Sequence, residues 1–315
     1  LLAYAAAKEN LSLKEVLTPE QIEGYLWMST IHNDGWGAAH MVDASDSANI
    51  EDGGAPSRAT TTSIYRSTES AFLDPMVEAI TAQPARSAAF HLRLATPGIP
   101  LEVENQQPFA CDGMTFMHNG SIENGPDGAA SNVMDDYGDF VTRDEFERTG
   151  GRSDSAVFFA LIIKNYDRDG NLVKAVNDAI AQLRAKYPEA SYNCVLQTED
   201  AMIFAHAVGE GPVSEELGKI YTEKGFASHI ADYRDVKYRE LPVSGDGDGD
   251  SDSATTDDGD IAASVRTAGA RAARGIVIAS TGFPQDKNDG WKDLANNSLI
   301  AVDTKSGRYE VVALV

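Results

Sequence analysis

Basic residues are scarce in this chain: 26 Lys and Arg stand against 49 Asp and Glu, a formal charge of −23. A polyanion such as nucleic acid would be repelled, so that class of partner is excluded. Cysteine is scarcer still. Cys111 and Cys194 lie far apart and in no metal-ligand spacing. That pattern points to a reduced, cytoplasmic protein with no metal site, and leaves one disulfide open. No apolar run is long enough to span a bilayer, which excludes a helical membrane protein. The opening LLAYAAAKENLSL has no basic stretch ahead of its apolar residues, unlike a secretory signal. Internal repeats are absent as well.

What is present suffices for a sizeable core: 315 residues, 42% of them hydrophobic. The expectation is a single domain over residues 1–315, broken by a disordered acidic insertion at about residues 245–260 (GDGDGDSDSATTDDGD). Asp246, Asp248 and Asp250 alternate there as in a calcium loop. Ser251, however, stands where the sharp turn needs glycine, and Asp257 where a bidentate Glu is needed. DRDGN (Asp167–Asn171) reads as a turn between two helices.

Period-2 and β-rich runs predict strands at Leu1–Ala5, Gly37–Val42, Thr62–Arg66, Ala88–Leu94 and Met114–Met117. After Pro188 they follow at Ser191–Gln197, Met202–Val208, Val236–Val243, Gly275–Ala279, Ser298–Val302 and Tyr309–Leu314. Thr18-Pro19 opens a helix to about Met28, and Asp74-Pro75 one to about Ala82. Ser153 caps the apolar helix AVFFALII, and Leu172, Val176, Ala179, Ile180 and Leu183 recur at helical spacing. Paired short strands with helices outside predict an α+β fold of two mostly antiparallel sheets packed face to face.

Three segments carry chemistry. In MTFMHNGSIEN a strand stops at His-Asn-Gly, which is either a turn or a pair of N–H donors for an oxyanion. In the second reading the donors are the Asn119 carboxamide and the Gly120 backbone, and glycine lets the substrate approach closely. FHLRLATPGIP sets Arg93 in an apolar strand with Thr96 and Gly98 at its exit. The guanidinium either pairs internally or grips a carboxylate with its fork. GGRSDSAVFF puts Asp154 in a first helical turn, where a carboxylate either steadies the helix or binds an ammonium. Together the functional readings make a recognition set for an amino acid whose side-chain amide is attacked.

HLRLAT, MHNGSIEN, RSDSAVFFAL and HNDGWGAAH occur in one order, and TGFPQDKNDGWKDLANNSLIAVD lies near the end. In these the sequence resembles the class II glutamine amidotransferases, N-terminal-nucleophile hydrolases. The resemblance is to their stand-alone branch of YafJ-like proteins and γ-glutamyl hydrolases, and covers nearly the whole chain. It implies a four-layer αββα sandwich. It further implies a carboxylate-binding role for Arg93 and Thr96, an oxyanion hole of Asn119 and Gly120, and an ammonium-binding role for Asp154. The family's nucleophile is an N-terminal cysteine, and LLAYAA is similar to the strand that follows it, so a Cys is expected just upstream of Leu1. Cys111, in a polar turn, and Cys194, in a strand, read as structural. Gln107 stands where the family commonly has His, and keeps hydrogen-bonding capacity without charge. Trp36 of the DGWG motif reads as a core aromatic.

The implied reaction is hydrolysis of the γ-amide of glutamine or of a γ-glutamyl compound through a cysteine thioester, without a cofactor. The ammonia is passed to a separate subunit, or the amide is simply hydrolysed. The alternative is an inactive member that binds a γ-glutamyl metabolite or a protein partner.

Overall fold

The computed structural model describes residues 1–7, 9–43, 60–95, 100–123, 132–209, 211, 213, 215–241, 271, 272 and 274–315. Thr96, Gly98 and the whole Asp-rich segment lie outside these residues. Two seven-stranded sheets dominate. The first runs β12 (Lys292–Leu294), β9 (Val236–Glu240), β11 (Gly275–Ser280), β1 (Leu2–Ala6), β4 (Ser87–Leu92), β2 (Trp36–Asp43) and β3 (Thr60–Ser67). The second runs β10 (Arg271–Ala272), β14 (Arg308–Ala313), β13 (Ser298–Asp303), β8 (Ala201–His206), β7 (Asn193–Gln197), β6 (Met114–Asn119) and β5 (Phe109–Cys111). Neighbours pair antiparallel, as Leu2↔Ala279 and Leu2↔Phe90 at the centre of the first sheet.

Alternation along the strands sorts the side chains into layers. In β1, Leu2 and Tyr4 turn outward to a core shared with α1 (Leu13–Val16), α2 (Pro19–Trp27), α3 (Val77–Ala82) and α7 (Glu215–Glu223). Ala3 and Ala5 turn inward and meet Met117, Val195, Phe204 and Ile300 of the second sheet. The far face of that second sheet, through Phe116, Cys194, Leu196 and Ile203, packs on α5 (Asp154–Asp169) and α6 (Leu172–Lys186). The order is therefore helix, sheet, sheet, helix, as expected. Small residues in β1 allow the sheets to approach, while aromatics fill the outer cores. Phe116 stacks on Phe159 at a ring-centroid distance of 5.2 Å, and each such buried ring contributes about 1.5–3 kcal/mol.

Local chemistry explains the helix ends. Thr18 accepts from Gln21 N–H at 3.3 Å, with Pro19 at the first helical position. Gly170, with φ at 68°, ends α5, and Asn171 caps α6, so DRDGN is an interhelical turn. Some expectations need correction. Ser153 occupies the cap position of α5, but its side chain makes no capping bond. Asp74-Pro75 precedes α3 rather than opening it, because the Asp74 carboxylate is taken by Trp36, Tyr65 and the Met76 N–H. Trp36 itself is a core residue, 1% exposed. Ser191 forms only an isolated bridge to Val208, outside β7. Cys111 ends a strand, β5, instead of lying in a turn. The short α1, α4 (Arg143–Glu147), α7, β5, β10 and β12 were not anticipated. No described helix is long and apolar enough to cross a membrane.

Candidate active site

The ends of β4 and β6 and the start of α5 meet around a cavity of about 40 Å³, room for a few waters. Arg93, Asp154, Asn119 and Gly120 all line it, together with His91, Gln107, His118 and Ser155. Thr96 lies outside the described residues.

Arg93 directly follows β4 and is 6% exposed. Its backbone is clamped by the DGWG turn: Arg93 N–H donates to the Gly35 carbonyl, and Asp34 N–H to the Arg93 carbonyl. No side-chain hydrogen bond reaches its guanidinium from the described residues, and among them buried Nη1 has no partner. Burial lowers its pKa, an effect opposed by the Asp34 and Asp154 carboxylates nearby. An internal ion pair, one of the two readings of Arg93, is absent among the described residues. A buried donor without an acceptor is unfavourable by about 1–3 kcal/mol, and persists where a ligand supplies the acceptor.

Asp154 begins α5. Its Oδ2 accepts from Ile122 N–H at 2.9 Å and its Oδ1 from Ser155 N–H at 2.8 Å. The carboxylate thus both steadies the helix start and holds the chain just after Asn119-Gly120. An ionised carboxylate has about four acceptor positions, so capacity for an ammonium remains.

Asn119 ends β6, half-buried, and its carboxamide makes no hydrogen bond among the described residues. The Gly120 N–H is likewise uncommitted among them. Glycine is required here by the packing of the chain itself. A Cβ at Gly120 would stand 2.1 Å from the Ser191 carbonyl oxygen, so the protein's own β6–β7 connection, rather than a ligand, fills that side.

A closed hydrogen-bond ring fixes this segment. The Gln107 Oε1 accepts from His118 N–H at 2.5 Å, its Nε2 donates to Ser155 Oγ at 3.3 Å, and Ser155 Oγ lies 2.9 Å from His118 Nδ1. His118 Nε2 lies 2.8 Å from the Ser191 carbonyl, which can only accept, so Nε2 carries the proton and Nδ1 accepts from Ser155. Burial lowers the His118 pKa, keeping that tautomer neutral, against an opposing pull from Asp154. Gln107 reaches this position because Gly37 admits its backbone: a Cβ there would lie 2.0 Å from the Gln107 carbonyl oxygen.

Sequence reasoning missed His91. Two residues before Arg93, it shares that residue's face by strand alternation, the signal that could have revealed it. It is 3% exposed, its Nδ1 has no partner among the described residues, and burial pushes its pKa well below the usual value.

Asn119 also lines a second cavity, of about 30 Å³, with Leu1, His32, Tyr221, Ser280, Thr281 and Phe283. Leu1 is buried, and its nitrogen lies 3.5 Å from Ser280 Oγ. Neither Cys111 nor Cys194 lines either cavity. Both are free, and Cys194 is wholly buried, which raises its pKa strongly.

No protein-family model matches the sequence, nor does any curated protein. Solved structures do match. A glutamine aminotransferase class-II domain protein from Silicibacter pomeroyi superposes with a TM-score of 0.53 and 16% identity, over 100% of this chain and 98% of that one. The allosteric regulatory enzyme of purine biosynthesis superposes with a TM-score of 0.53 and 13% identity, over 100% of this chain but 48% of the other, so the chain spans about half of that protein. The sandwich described above is the fold of the class II glutamine amidotransferase domains.

Proposed function

We propose that this protein hydrolyses the γ-amide of glutamine or of a γ-glutamyl compound, with a cysteine just upstream of Leu1 as nucleophile. The observation that carries this reading is the double exposure of Asn119. One of its cavities holds Arg93 and Asp154, and the other opens at Leu1. Arg93 grips the substrate α-carboxylate, Asp154 the α-ammonium, and the γ-carbonyl comes to rest at Asn119, between recognition and attack. The thiolate adds to that carbonyl, its own α-amino group having taken the proton. Asn119 Nδ2 and the Gly120 N–H stabilise the oxygen as it becomes negative. The amine departs with the proton, a thioester remains, and water releases glutamate. His118, Gln107 and Ser155 position the β6 end.

The full-length protein is therefore expected to release glutamate from glutamine or γ-glutamyl amides. Unchanged release after the combined Arg93→Ala and Asn119→Ala substitutions would overturn these roles. Tight binding of γ-glutamyl compounds without glutamate release would leave only the recognition half.

A further inference from the structure

Thr281 and Phe283 line the Leu1 cavity on one side and, on the other, a groove of about 760 Å³. That volume is typical of a small-molecule site. Gly24 of α2 holds this shared segment in place: a Cβ there would lie 2.7 Å from Pro284 Cδ, so the Phe283-Pro284 stretch rests directly on the helix. Two features of the groove are unused by the reading above. Gln285 is 7% exposed, yet neither its Oε1 nor its Nε2 has a hydrogen-bond partner among the described residues. The lining also holds four carboxylates, Glu20, Glu23, Asp232 and Asp286, against two ammonium groups, Lys237 and Lys287. Of these, Lys287 pairs outside the groove, with Asp293 at 3.1 Å, and Lys237 donates to the Gln285 carbonyl at 3.3 Å. Trp27, 47% exposed, adds an aromatic face suited to a cation.

We propose that this groove receives the amine half of a γ-glutamyl amide, and that the amine is cationic. The proposal rests on the hydrolytic reading, and it names the substrate class which that reading leaves open. The scissile carbonyl at Asn119 faces the Leu1 cavity, so the group beyond the amide nitrogen passes the Thr281–Phe283 wall into the groove. There the carboxylates meet its positive charge, and the Gln285 carboxamide supplies one donor and one acceptor. An anionic amine would meet the carboxylates unfavourably.

The test uses the full-length protein and three γ-glutamyl amides of equal length: of a diamine, of a neutral alkylamine and of an ω-amino acid. Glutamine is the reference substrate. The diamine amide is expected to exceed the neutral one at least tenfold in kcat/KM, and the ω-amino acid amide to fall below both. In Glu23→Gln/Asp232→Asn, and separately in Gln285→Leu, the ratio of diamine to neutral probe should drop toward one. A ratio near one in the unmodified protein, or one that survives both variants, overturns the proposal while glutamine turnover upholds the hydrolytic reading. If no probe and no glutamine is hydrolysed, that reading fails, and titration calorimetry with the free diamine still decides the groove. Binding abolished by Glu23→Gln/Asp232→Asn but retained in Arg93→Ala supports it, and no binding overturns it.

Discussion

Two buried arginines stand at opposite ends of the same strand. Arg86 precedes β4 and Arg93 follows it, at 4% and 6% exposure. Arg86 donates to Thr60 Oγ1 in the first sheet and to the Glu199 carbonyl at the β7–β8 turn of the second, so it fastens one end of the sandwich shut. Arg93, at the other end, has carboxylates near it but no hydrogen-bond acceptor among the described residues, and its surroundings form a cavity. Burial is the same for both; the partners differ. A guanidinium anchored to both sheets is architecture, whereas one that makes no hydrogen bond to a described residue and faces a cavity is poised for a ligand.

The comparison breaks most readily at its open end. Asn119→Ala removes one oxyanion donor, and should lower kcat for glutamate release by about 10²–10³-fold with little change in folding. Arg93→Ala should lower kcat/KM by about 10- to 150-fold, mostly through KM, as befits the loss of charged hydrogen bonds worth about 1.5–3 kcal/mol. At the closed end the signs reverse. Arg86→Met should destabilise by about 1–3 kcal/mol in urea unfolding, because the Thr60 and Glu199 groups lose their donor, while KM moves little. Arg93→Met should raise stability by about 1 kcal/mol while lowering kcat/KM as Arg93→Ala does, since it removes a desolvated donor that no described residue satisfies. Equal destabilisation by the two Met variants would dissolve the distinction.

A pH titration sharpens the same contrast. Burial lowers the pKa values of His32, His40 and His206 to about 4, and burial pushes those of His91 and His118 below the ordinary histidine value. Above about pH 6.5 these residues are neutral in folded and unfolded chains alike and add no pH dependence. As pH falls from about 6.5 toward 4 the unfolded chain takes up the protons first, and stability drops by at most about 1.4 kcal/mol per pH unit for each residue. Unfolding midpoints measured between pH 7 and 4 should show that fall. Replacing His91, which lines the open cavity, with an apolar residue should reduce the slope by one such contribution.

Much of the fold was legible because it is written in local periodicity. Leu2/Tyr4 against Ala3/Ala5 and the heptad-like run from Leu172 to Leu183 each sort a face without reference to anything distant. The short elements escaped for the converse reason. In α7, EELGKIYTE, a glycine interrupts the helix and only Leu217, Ile220 and Tyr221 mark its face, while β5 offers three residues, too few for a period. At the site, Arg93, Asn119, Gly120 and Asp154 stood out because a charge or a turn residue beside an apolar run is visible in one dimension. Gln107 looked like a mere departure, and only its bonds to His118 and Ser155, 11 and 48 residues away, gave it a place.

By itself, then, the sequence determined which residues form strands and helices and which of their faces are apolar, since those depend on neighbours within a turn or a pleat. Only the tertiary structure decided that Arg86 is anchored to both sheets while Arg93 faces a cavity, that Asn119 borders two cavities, and that the buried Gln285 carboxamide has no partner among the described residues. Hydrogen-bond satisfaction depends on groups brought together from distant parts of the chain, and no local pattern records which acceptor arrives.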